Sequence, residues 1–222
     1  MIEPSDLTVV VTAARHLSYF TITRPFIQRY CEQMGYKLEI YTRDHVPAHV
    51  SASWNKLIAW QAAQTPHVVL WDADIVPLPH CLPIHQFLHP INLSMPFMEP
   101  RPDVRQMLAK KYGRRSERSM HWETSLIGVP ESQRPFLDDL FESFAYSRHI
   151  DAEHGEVNSR IIQQSVPVER LPCKFAARID LPCELHDIAN NYALRFTSEW
   201  KKDRNIGRLC RMLRKLGYNL PH

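Results

Sequence analysis

The chain has 222 residues, 44% of them hydrophobic and 23% charged, which is typical of one soluble α/β domain rather than two small ones. Its formal net charge of +3 is too small to require a nucleic-acid partner. The sequence shows no run of ~20 apolar residues that would span a membrane, no signal-peptide pattern at its acidic start, and five scattered cysteines without a CxxC pair. These features predict a cytoplasmic protein with reduced thiols.

Short strands alternate with helices in the first third of the chain. The predicted elements are a strand at 7–11, a helix at 24–35 with Pro25 in its first turn, a strand at 37–42, a helix at 51–64 with a serine cap and a strand at 67–71. Strand–helix–strand units of this kind form parallel sheets, so we expect the carboxyl ends of the three strands at one edge. Open α/β sheets bind their ligands at that edge.

The order of elements changes after residue 75. The pattern predicts a strand at 92–98, a short basic helix at 103–112, a strand at 125–129, a helix at 131–147, a strand pair at 166–185 and a basic helix at 198–216. We predict a Rossmann-like, mostly parallel sheet flanked by helices, in a single domain at 1–197 whose nucleotide-binding half is about 1–90, followed by a basic C-terminal helix in 198–222. Only six glycines are present, and no glycine-rich phosphate loop, which argues against a dinucleotide or P-loop site.

Two LPC tripeptides lie in the predicted strand pair and contain Cys173 and Cys183. A hairpin disulfide or a zinc pair is one interpretation of these cysteines. Buried thiols in a strand pair are the interpretation that we favour, because cysteine is among the most buried residue types.

Two aspartates end the third predicted strand, in VVLWDADIVP. Asp72 and Asp74 are two residues apart, so on an extended backbone their side chains point to the same side and Ala73 points away. Two converging carboxylates make a hard-oxygen site for Mn²⁺ or Mg²⁺, whose remaining positions substrate phosphates can fill. The alternative is a solvated turn in which Asp74 caps a helix.

Three segments resemble those of a known family. They are VVVTAAR at the end of the first predicted strand, WNKL in the second predicted helix and VVLWDAD at the end of the third predicted strand. Together they resemble the nucleotide-binding half of A-type-fold glycosyltransferases, especially the glycogenin-like retaining family. The resemblance implies a nucleotide-diphospho-sugar transferase fold and metal-dependent transfer of a sugar from a UDP- or GDP-type donor to an acceptor hydroxyl. It implies that Asp72, Ala73 and Asp74 meet the donor and its metal. Lys56 would reach the diphosphate, with a solvated lysine on a helix face as its ordinary alternative.

The segment HWETSLIGVP is similar to the one that lines the sugar pocket in that family. Glu123, Thr124 and Ser125 stand where the family has asparagine, serine and glycine, so the motif is altered. The resemblance places Thr124 against the donor. Glu123 or Glu153 would orient the sugar or acceptor, and one of them could act as general base in an inverting mechanism. A retaining mechanism needs no such base if the leaving phosphate deprotonates the acceptor.

Two later segments extend the resemblance. EHGEVN is similar to the family's acidic-glutamine segment, which contacts the donor sugar or acceptor: Glu153 and Asn158 match it, and His154 replaces the glutamine. LHDIAN is similar to the late histidine segment that completes the metal site, so the resemblance implies His186 as a third metal ligand beside the two aspartates. The glycine and lysine that usually follow that histidine are missing here.

Several residues follow the ends of the first two predicted strands. Thr12 and Ala13 end the first strand, where backbone groups could hold the base of a nucleotide, and a simple strand terminus is the competing interpretation. Arg15, Tyr19 and Asp44 lie near the same edge of the sheet and are further candidates for nucleotide contact. Tyr19 could stack on the base, or it could be an ordinary surface aromatic residue.

Basic residues concentrate in two stretches, 101–118 and 201–215, with seven Lys or Arg in each. A solvated charged face is the common explanation. The functional alternative is that the basic residues bind an anionic acceptor. The C-terminal helix also has an apolar face, which could dock on the core or on a membrane surface. Without a groove-reading motif, the sequence gives no support for nucleic-acid binding.

Two other functions remain open from the sequence. A nucleotidyltransferase of similar fold usually opens with a glycine-rich basic loop after its first strand, and TAARHLSYF contains no glycine. A non-catalytic nucleotide- or sugar-binding module would explain the altered pocket segments.

Overall fold

A computed structural model of the chain describes residues 1–15, 17–48, 50–56, 63–98, 121–144, 152–179, 184–196 and 202–218. Its strands are β1 (Leu7–Thr12), β2 (Lys37–Tyr41), β3 (His67–Asp72), β4 (Ile75–Pro77), β5 (Leu93–Met98), β6 (His121–Trp122), β7 (Leu126–Pro130), β8 (Val168–Leu171), β9 (Ala177–Ile179) and β10 (Ala193–Phe196). Its α-helices are α1 (Leu17–Met34), α2 (Arg134–Phe144), α3 (Ala152–Gln164), α4 (Leu185–Asn190) and α5 (Lys202–Lys215).

A large mixed sheet forms the centre of the molecule, in the strand order β2-β1-β3-β7-β5-β6, with β8 also paired to β5. Strand β1 lies between β2 and β3 and is parallel to both, whereas β7 is antiparallel to β3 and to β5. This arrangement confirms the predicted α/β fold class, with the parallel pairs β1–β2 and β1–β3 in the first third of the chain.

The apolar runs of β1 and β3 explain why these strands lie at the centre of the sheet. Val9 and Trp71 face one core, which α1 and α5 cover, while Val10 and Leu70 face a second core on the other side. Because successive side chains of a strand point to opposite faces, a strand covered on both faces needs an apolar residue at every position. The runs VVV at 9–11 and VVLW at 68–71 satisfy that requirement.

Helix α1 begins at Leu17, so the prediction of a helix starting near Pro25 is wrong in its start. Pro25 lies inside the helix instead of in its first turn. Proline removes one backbone hydrogen bond there. The preceding turns nevertheless bury Tyr19, Phe20 and Thr23 against the core, and this burial outweighs the lost hydrogen bond.

The predicted strand pair at 166–185 is also wrong. Both strands form, but β8 pairs with β5 in the large sheet, and β9 pairs with β10 in a separate small sheet of order β4-β10-β9. A 3₁₀ turn at Cys173–Phe175, preceded by Pro172, separates the two strands and redirects the chain. Cys173 is exposed, so it is not the buried thiol that we predicted, and Cys183 lies outside the described residues.

Other predicted elements have mixed outcomes. The strands at 92–98 and 125–129 and the C-terminal helix are confirmed by β5, β7 and α5. The predicted helix at 51–64 begins with a 3₁₀ turn, Ala52–Trp54, in which the Ser51 side chain accepts a hydrogen bond from the Ser53 amide as a cap. Residues 55–56 continue it as helix and residues 63–64 are not helical, while 57–62, the predicted helix at 103–112 and the basic stretch 101–118 lie outside the described residues.

The small sheet positions the end of the chain against the aspartate motif. Strand β4 follows the motif directly, and β10 pairs with it in antiparallel register, with Arg195 opposite Ile75. Helix α5 then packs on α1 through Ile206, Leu209 and Leu213, which are buried in the first core. Among the described residues, none of the helices has both the length and the apolar character that a bilayer span requires.

Candidate active site

The carboxyl ends of the three parallel strands meet at one edge of the sheet, as predicted. Thr12 is in register with Tyr41 of β2 and with Asp72 of β3. The Ala13 amide continues the ladder by donating to the Tyr41 carbonyl at 2.8 Å. Thr12 and Ala13 therefore lie beside the aspartate motif, where their backbone borders the ligand edge of the sheet.

Three hydrogen bonds, two from backbone to backbone and one from a side chain, fix the backbone of the motif Asp72–Ala73–Asp74. The Asp72 amide donates to the Ser125 carbonyl at 2.9 Å, and the Phe196 amide donates to the Asp74 carbonyl at 3.1 Å. The Ala73 carbonyl accepts a hydrogen bond from the Thr23 hydroxyl of α1 at 2.7 Å. The turn is thus fixed from β7, β10 and α1, and it is not a solvated turn that caps a helix.

Lys56 is buried and points into the site. Its Nζ lies 2.8 Å from Asp72 Oδ1 and donates to the Thr124 carbonyl at 2.9 Å. The alternative of a solvated lysine on a helix face is therefore wrong. A lysine can remain charged at a buried position when a carboxylate and a carbonyl accept from it.

Arg195 of β10 is the site residue that the sequence interpretation missed. Its guanidinium contacts three carboxylates: Nη1 lies 2.6 Å from Glu123 Oε1, Nη2 lies 3.7 Å from Asp72 Oδ2, and Nε lies 3.7 Å from Asp74 Oδ1. A charged residue inside the otherwise apolar strand ALRF was the available signal. Buried charges are almost always paired, so such a residue calls for an acidic partner.

We call Asp72, Asp74, Glu123, Lys56 and Arg195 the charged cluster. Asp72 is its most accessible carboxylate, with 21% of its side chain exposed against 8% for Asp74 and 5% for Glu123. Within the part of the chain that the structure describes, three carboxylates of the cluster face two cations, so these five residues together carry an excess of negative charge. Arg195 is exposed to the same extent, 21%, so Asp72 and Arg195 are the members of the cluster most accessible from solvent.

Glu123 is held as a carboxylate. Burial raises its pKa, but the positive charge of Arg195 and the hydrogen bond from the Ser125 amide, at 3.2 Å, together hold the pKa below its usual range. A carboxylate with a lowered pKa is a weak base near neutral pH. The predicted general-base role of Glu123 is therefore disfavoured by its surroundings.

His154 extends the cluster toward α3. Its Nδ1 lies 3.0 Å from the Thr124 hydroxyl. Burial lowers the pKa of His154, and the nearby positive charges of Arg195 and Lys56 lower it further, against the opposing effect of Glu123. The imidazole is therefore neutral near pH 7, and it lies beside the Thr124 hydroxyl.

Asn158 anchors the helix that carries His154. Its Oδ1 accepts from the Trp122 amide at 2.8 Å, and its Nδ2 donates to the carbonyls of Trp122 and His154 at 3.0 and 2.9 Å. These hydrogen bonds tie α3 to β6 and use the amide that we expected to contact the sugar. Glu153 lies in the first turn of the same helix, and its side chain lies outside what the structure describes.

Arg15 and Asp44 organise a loop at the ligand edge. The guanidinium of Arg15 pairs with Asp44 and donates to the carbonyls of Val46, Pro47, Ala48 and Val50. Burial raises the pKa of Asp44, but hydrogen bonds from Arg15 and from the Asn55 amide lower it below its usual range. Arg15 therefore acts through the loop, which it holds beside the strand ends.

Two candidates lie elsewhere than the sequence indicated. Tyr19 is buried in the first core, so it is not a surface aromatic residue. His186 has 72% of its side chain exposed, and its Nε2 lies 3.2 Å from Asp187 Oδ1. No three His, Cys, Asp or Glu side chains within the described ranges stand close enough to form a complete metal-ligand set. The structure thus does not bring His186 into a set with Asp72 and Asp74.

A divalent cation nevertheless suits the donor set at the motif. Asp72 and Asp74 contact the same guanidinium, which shows that their carboxylates converge on a positive charge. Mg²⁺ and Mn²⁺ bind hard oxygen ligands, and Mg²⁺ sites often consist of one or two carboxylates with substrate phosphates completing the shell. The two aspartates fit this type of site without a histidine.

Comparisons with known proteins identify the fold. No protein-family model and no curated protein sequence matches the chain. The crystal structure of a glycosyltransferase involved in the glycosylation of the major capsid of PBCV-1 does match, with a TM-score of 0.68 and 13% identity over 90% of this chain and 98% of that one. This chain has the A-type glycosyltransferase fold.

Two further glycosyltransferase structures share this A-type fold. The galactosyltransferase LgtC, solved with donor and acceptor sugar analogs, matches with a TM-score of 0.58 and 9% identity over 92% of this chain and 95% of its own. Mouse xyloside xylosyltransferase 1 matches with a TM-score of 0.50 and 10% identity over 86% of this chain and 96% of its own. At these identities the likeness concerns the fold alone, and the glycogenin-like subfamily stays a prediction.

Proposed function

We propose that the chain is a glycosyltransferase that moves a sugar from a nucleotide-diphosphate donor to an acceptor hydroxyl. The observation that carries this proposal is the convergence of the charged cluster on the carboxyl ends of parallel strands in a glycosyltransferase fold. Open α/β sheets bind ligands at this position. The backbone at Thr12 and Ala13 and the loop held by Arg15 border the same edge and suit the base and ribose.

We further propose that donor binding depends on Mn²⁺ or Mg²⁺ held by Asp72 and Asp74. The charged cluster is already net negative, so it would repel an anionic diphosphate without an additional cation. A divalent ion held by these aspartates would supply positive charge to neutralise the departing diphosphate. Lys56 holds Asp72 in place beside it and adds a fixed positive charge to the wall of the site.

The surroundings of Glu123 favour a retaining outcome. Its carboxylate is paired with Arg195 at 2.6 Å, and its lowered pKa makes it a poor acceptor of the proton from the incoming hydroxyl. Without a protein base at that position, the departing phosphate is the group that takes the proton. Thr124 and His154 then serve to bind and orient the sugar, because a hydroxyl and a neutral imidazole can each act as hydrogen-bond donor and acceptor.

An anionic acceptor, or an acceptor presented at an anionic membrane surface, fits the exposed face of α5. Its buried side is apolar, and its solvent side is basic at Arg204, Arg208, Arg211, Arg214 and Lys215. Arg208 also lies 3.6 Å from Glu184, so part of that charge is balanced locally. The remaining positive charge attracts anions over roughly a Debye length, about 8 Å at physiological salt.

A donor screen tests the proposal directly. Purified protein is incubated with UDP- and GDP-sugars, with and without Mn²⁺, and release of nucleoside diphosphate is followed. We expect one donor to be hydrolysed in a metal-dependent way, with calorimetry showing that the corresponding nucleoside diphosphate binds only when Mn²⁺ is present.

Asp74→Asn supplies the variant for this screen, and Asp6→Asn is its matched control because Asp6 precedes β1 at the opposite edge of the sheet. We expect Asp74→Asn to lower donor turnover by at least about a hundredfold, because it removes a metal-ligand charge, and Asp6→Asn to retain activity. Full metal-dependent activity in Asp74→Asn would contradict the proposal. Absence of metal-dependent binding for every nucleotide would instead favour the non-catalytic module.

A further inference from the structure

The guanidinium of Arg195 occupies the middle of the carboxylates that the proposed function assigns to a metal. It contacts Asp72 and Asp74 at 3.7 Å each and Glu123 at 2.6 Å. The antiparallel pairing of β10 with β4 fixes this position, because it sets Arg195 opposite Ile75, the residue that follows the aspartate motif. The arginine is therefore built into the site by backbone pairing.

A divalent cation bound to Asp72 and Asp74 would lie close to this guanidinium. Like charges in a partly buried site repel strongly, because little water is present to screen them. Arginine stays protonated throughout the accessible pH range, so the repulsion cannot be relieved by losing a proton. The cation and the guanidinium therefore compete for the same carboxylate oxygens.

The contacts of Arg195 with these three carboxylates are unequal, which suggests how the competition is resolved. The 2.6 Å contact with Glu123 has the distance of a charge-assisted hydrogen bond, whereas the two aspartate contacts, at 3.7 Å, are longer than one. Arg195 can therefore release the aspartates while Glu123 retains it. An arriving diphosphate brings negative charge that offsets the guanidinium and the metal together.

We propose that Arg195 is the internal counter-ion of the charged cluster. It holds Asp72 and Asp74 in position in the nucleotide-free protein and keeps divalent metal binding weak until a diphosphate arrives. Arg195 is thus a positioning residue that makes metal and nucleotide binding interdependent. The inference rests on the proposed function only for the identity of the competing ligand, a divalent cation with a nucleoside diphosphate.

Binding of Mn²⁺ alone to the nucleotide-free protein tests this inference by calorimetry and by the electron paramagnetic resonance signal of free Mn²⁺. The variants are Arg195→Gln, which removes the charge, Arg195→Lys, which keeps it, and Arg195→Gln combined with Asp72→Asn. Arg178→Gln is the matched control, because Arg178 is an exposed arginine of the same small sheet.

We expect Arg195→Gln to bind Mn²⁺ about tenfold more tightly or better than the wild type, because it removes one like charge at ion-pair distance. The Mn²⁺ affinity of Arg195→Lys and of Arg178→Gln should stay near that of the wild type. Adding Asp72→Asn to Arg195→Gln should abolish the gain in affinity. UDP should tighten Mn²⁺ binding in the wild type by a larger factor than in Arg195→Gln. Retention of the gain with Asp72→Asn would contradict competition at these aspartates.

Two results would overturn the inference. One is a folded Arg195→Gln protein, checked by circular dichroism, that binds Mn²⁺ no more tightly than the wild type. The other is nucleotide-free wild-type protein that binds Mn²⁺ with a dissociation constant of about 10 μM or lower, a result that needs no variant to fold. Neither measurement requires sugar transfer. A chain that shows the Arg195 effect but turns over no donor would refute the proposed function alone.

Discussion

At the scale of single residues, the candidate site consists of ionisable groups whose charge states are set by one another. Glu123 stays ionised because Arg195 is close to it, and His154 stays neutral because it is buried near Arg195 and Lys56. Both groups therefore favour the folded state in the protonation state that prevails at neutral pH. The site should lose stability on acidification, when both groups would take up protons.

The first prediction concerns His154. Its folded pKa lies below the unfolded value of 6.5, so below about pH 6.5 the unfolded chain binds a proton that the folded chain does not. The stabilisation is complete above the unfolded pKa and is lost as the pH falls toward the folded pKa. We expect thermal unfolding scans between pH 7.5 and 5.5 to show a smaller fall in Tm for His154→Gln than for the wild type.

Burial also lowers the pKa of His67, so His67 contributes to the same loss of stability at acidic pH. His154→Gln should therefore reduce the fall in Tm without removing it. His80→Gln, at an exposed position, controls for the loss of a histidine. A His154→Gln protein with the wild-type fall in Tm would show that His154 does not titrate abnormally. Glu123 contributes in the same direction at lower pH, since its lowered pKa stabilises the fold above its unfolded value of 4.5.

At the scale of elements, the site depends on loops and strands that are held by side chains far away in sequence. Arg15 holds the loop after β2, Thr23 of α1 holds the Ala73 carbonyl, and Asn158 ties α3 to β6. These three side chains donate to or accept from backbone groups, and Arg15 also pairs with Asp44. They therefore act on the site by holding the backbone of neighbouring elements in place.

The second prediction tests the loop held by Arg15. Lysine keeps the positive charge but cannot donate in several fixed directions, as the guanidinium does. We expect Arg15→Lys to reduce the free energy of unfolding by about 1–2 kcal/mol, with faster amide exchange confined to residues 44–50. Arg43→Lys is the control, because Arg43 is exposed in the same segment. Unchanged exchange in Arg15→Lys would show that the loop is ordered by other contacts.

The third prediction separates the two faces of α5. Replacing Arg204, Arg211 and Arg214 by glutamine should change the free energy of unfolding by no more than about 0.5 kcal/mol each, because these residues are exposed. Leu209→Ala should cost about 2–5 kcal/mol, because Leu209 is fully buried. Co-sedimentation should show weaker binding of the triple variant to anionic vesicles, with neutral vesicles as control. Equal binding by wild type and triple variant would argue against the basic face.

At the scale of the whole molecule, the sequence predicted the features that depend on a short stretch of residues, such as buried strands and the charged residues near them. The runs TVVV and HVVLW indicated buried parallel strands, and Asp72, Asp74 and Lys56 lie close in sequence to the strand that places them. Arg195 could not be found this way, because its position depends on the pairing of β10 with β4 from a distant part of the chain. His186 was predicted from the resemblance of one six-residue segment, whereas the residue that contacts both aspartates in the structure is Arg195.

The last prediction concerns the coupling of the two sheets. Asp72 ends a strand of the large sheet and Arg195 belongs to the small one, so a ligand at the charged cluster binds to both. Ligand that binds only the folded state stabilises it by about 2.7 kcal/mol at a hundred times its Kd. For a domain of this size, that free energy corresponds to a rise in Tm of roughly 5–10 °C.

We therefore expect Mn²⁺ together with the correct nucleoside diphosphate to raise Tm by several degrees, and to slow amide exchange in both β3 and β10. Either ligand alone should have a smaller effect, because the net negative cluster disfavours the diphosphate and Arg195 disfavours the metal. Asp72→Asn should abolish the joint effect and Asp6→Asn should retain it. Protection confined to the large sheet would mean that Arg195 and the small sheet take no part in binding, because coupling requires both sheets to respond to the same ligand.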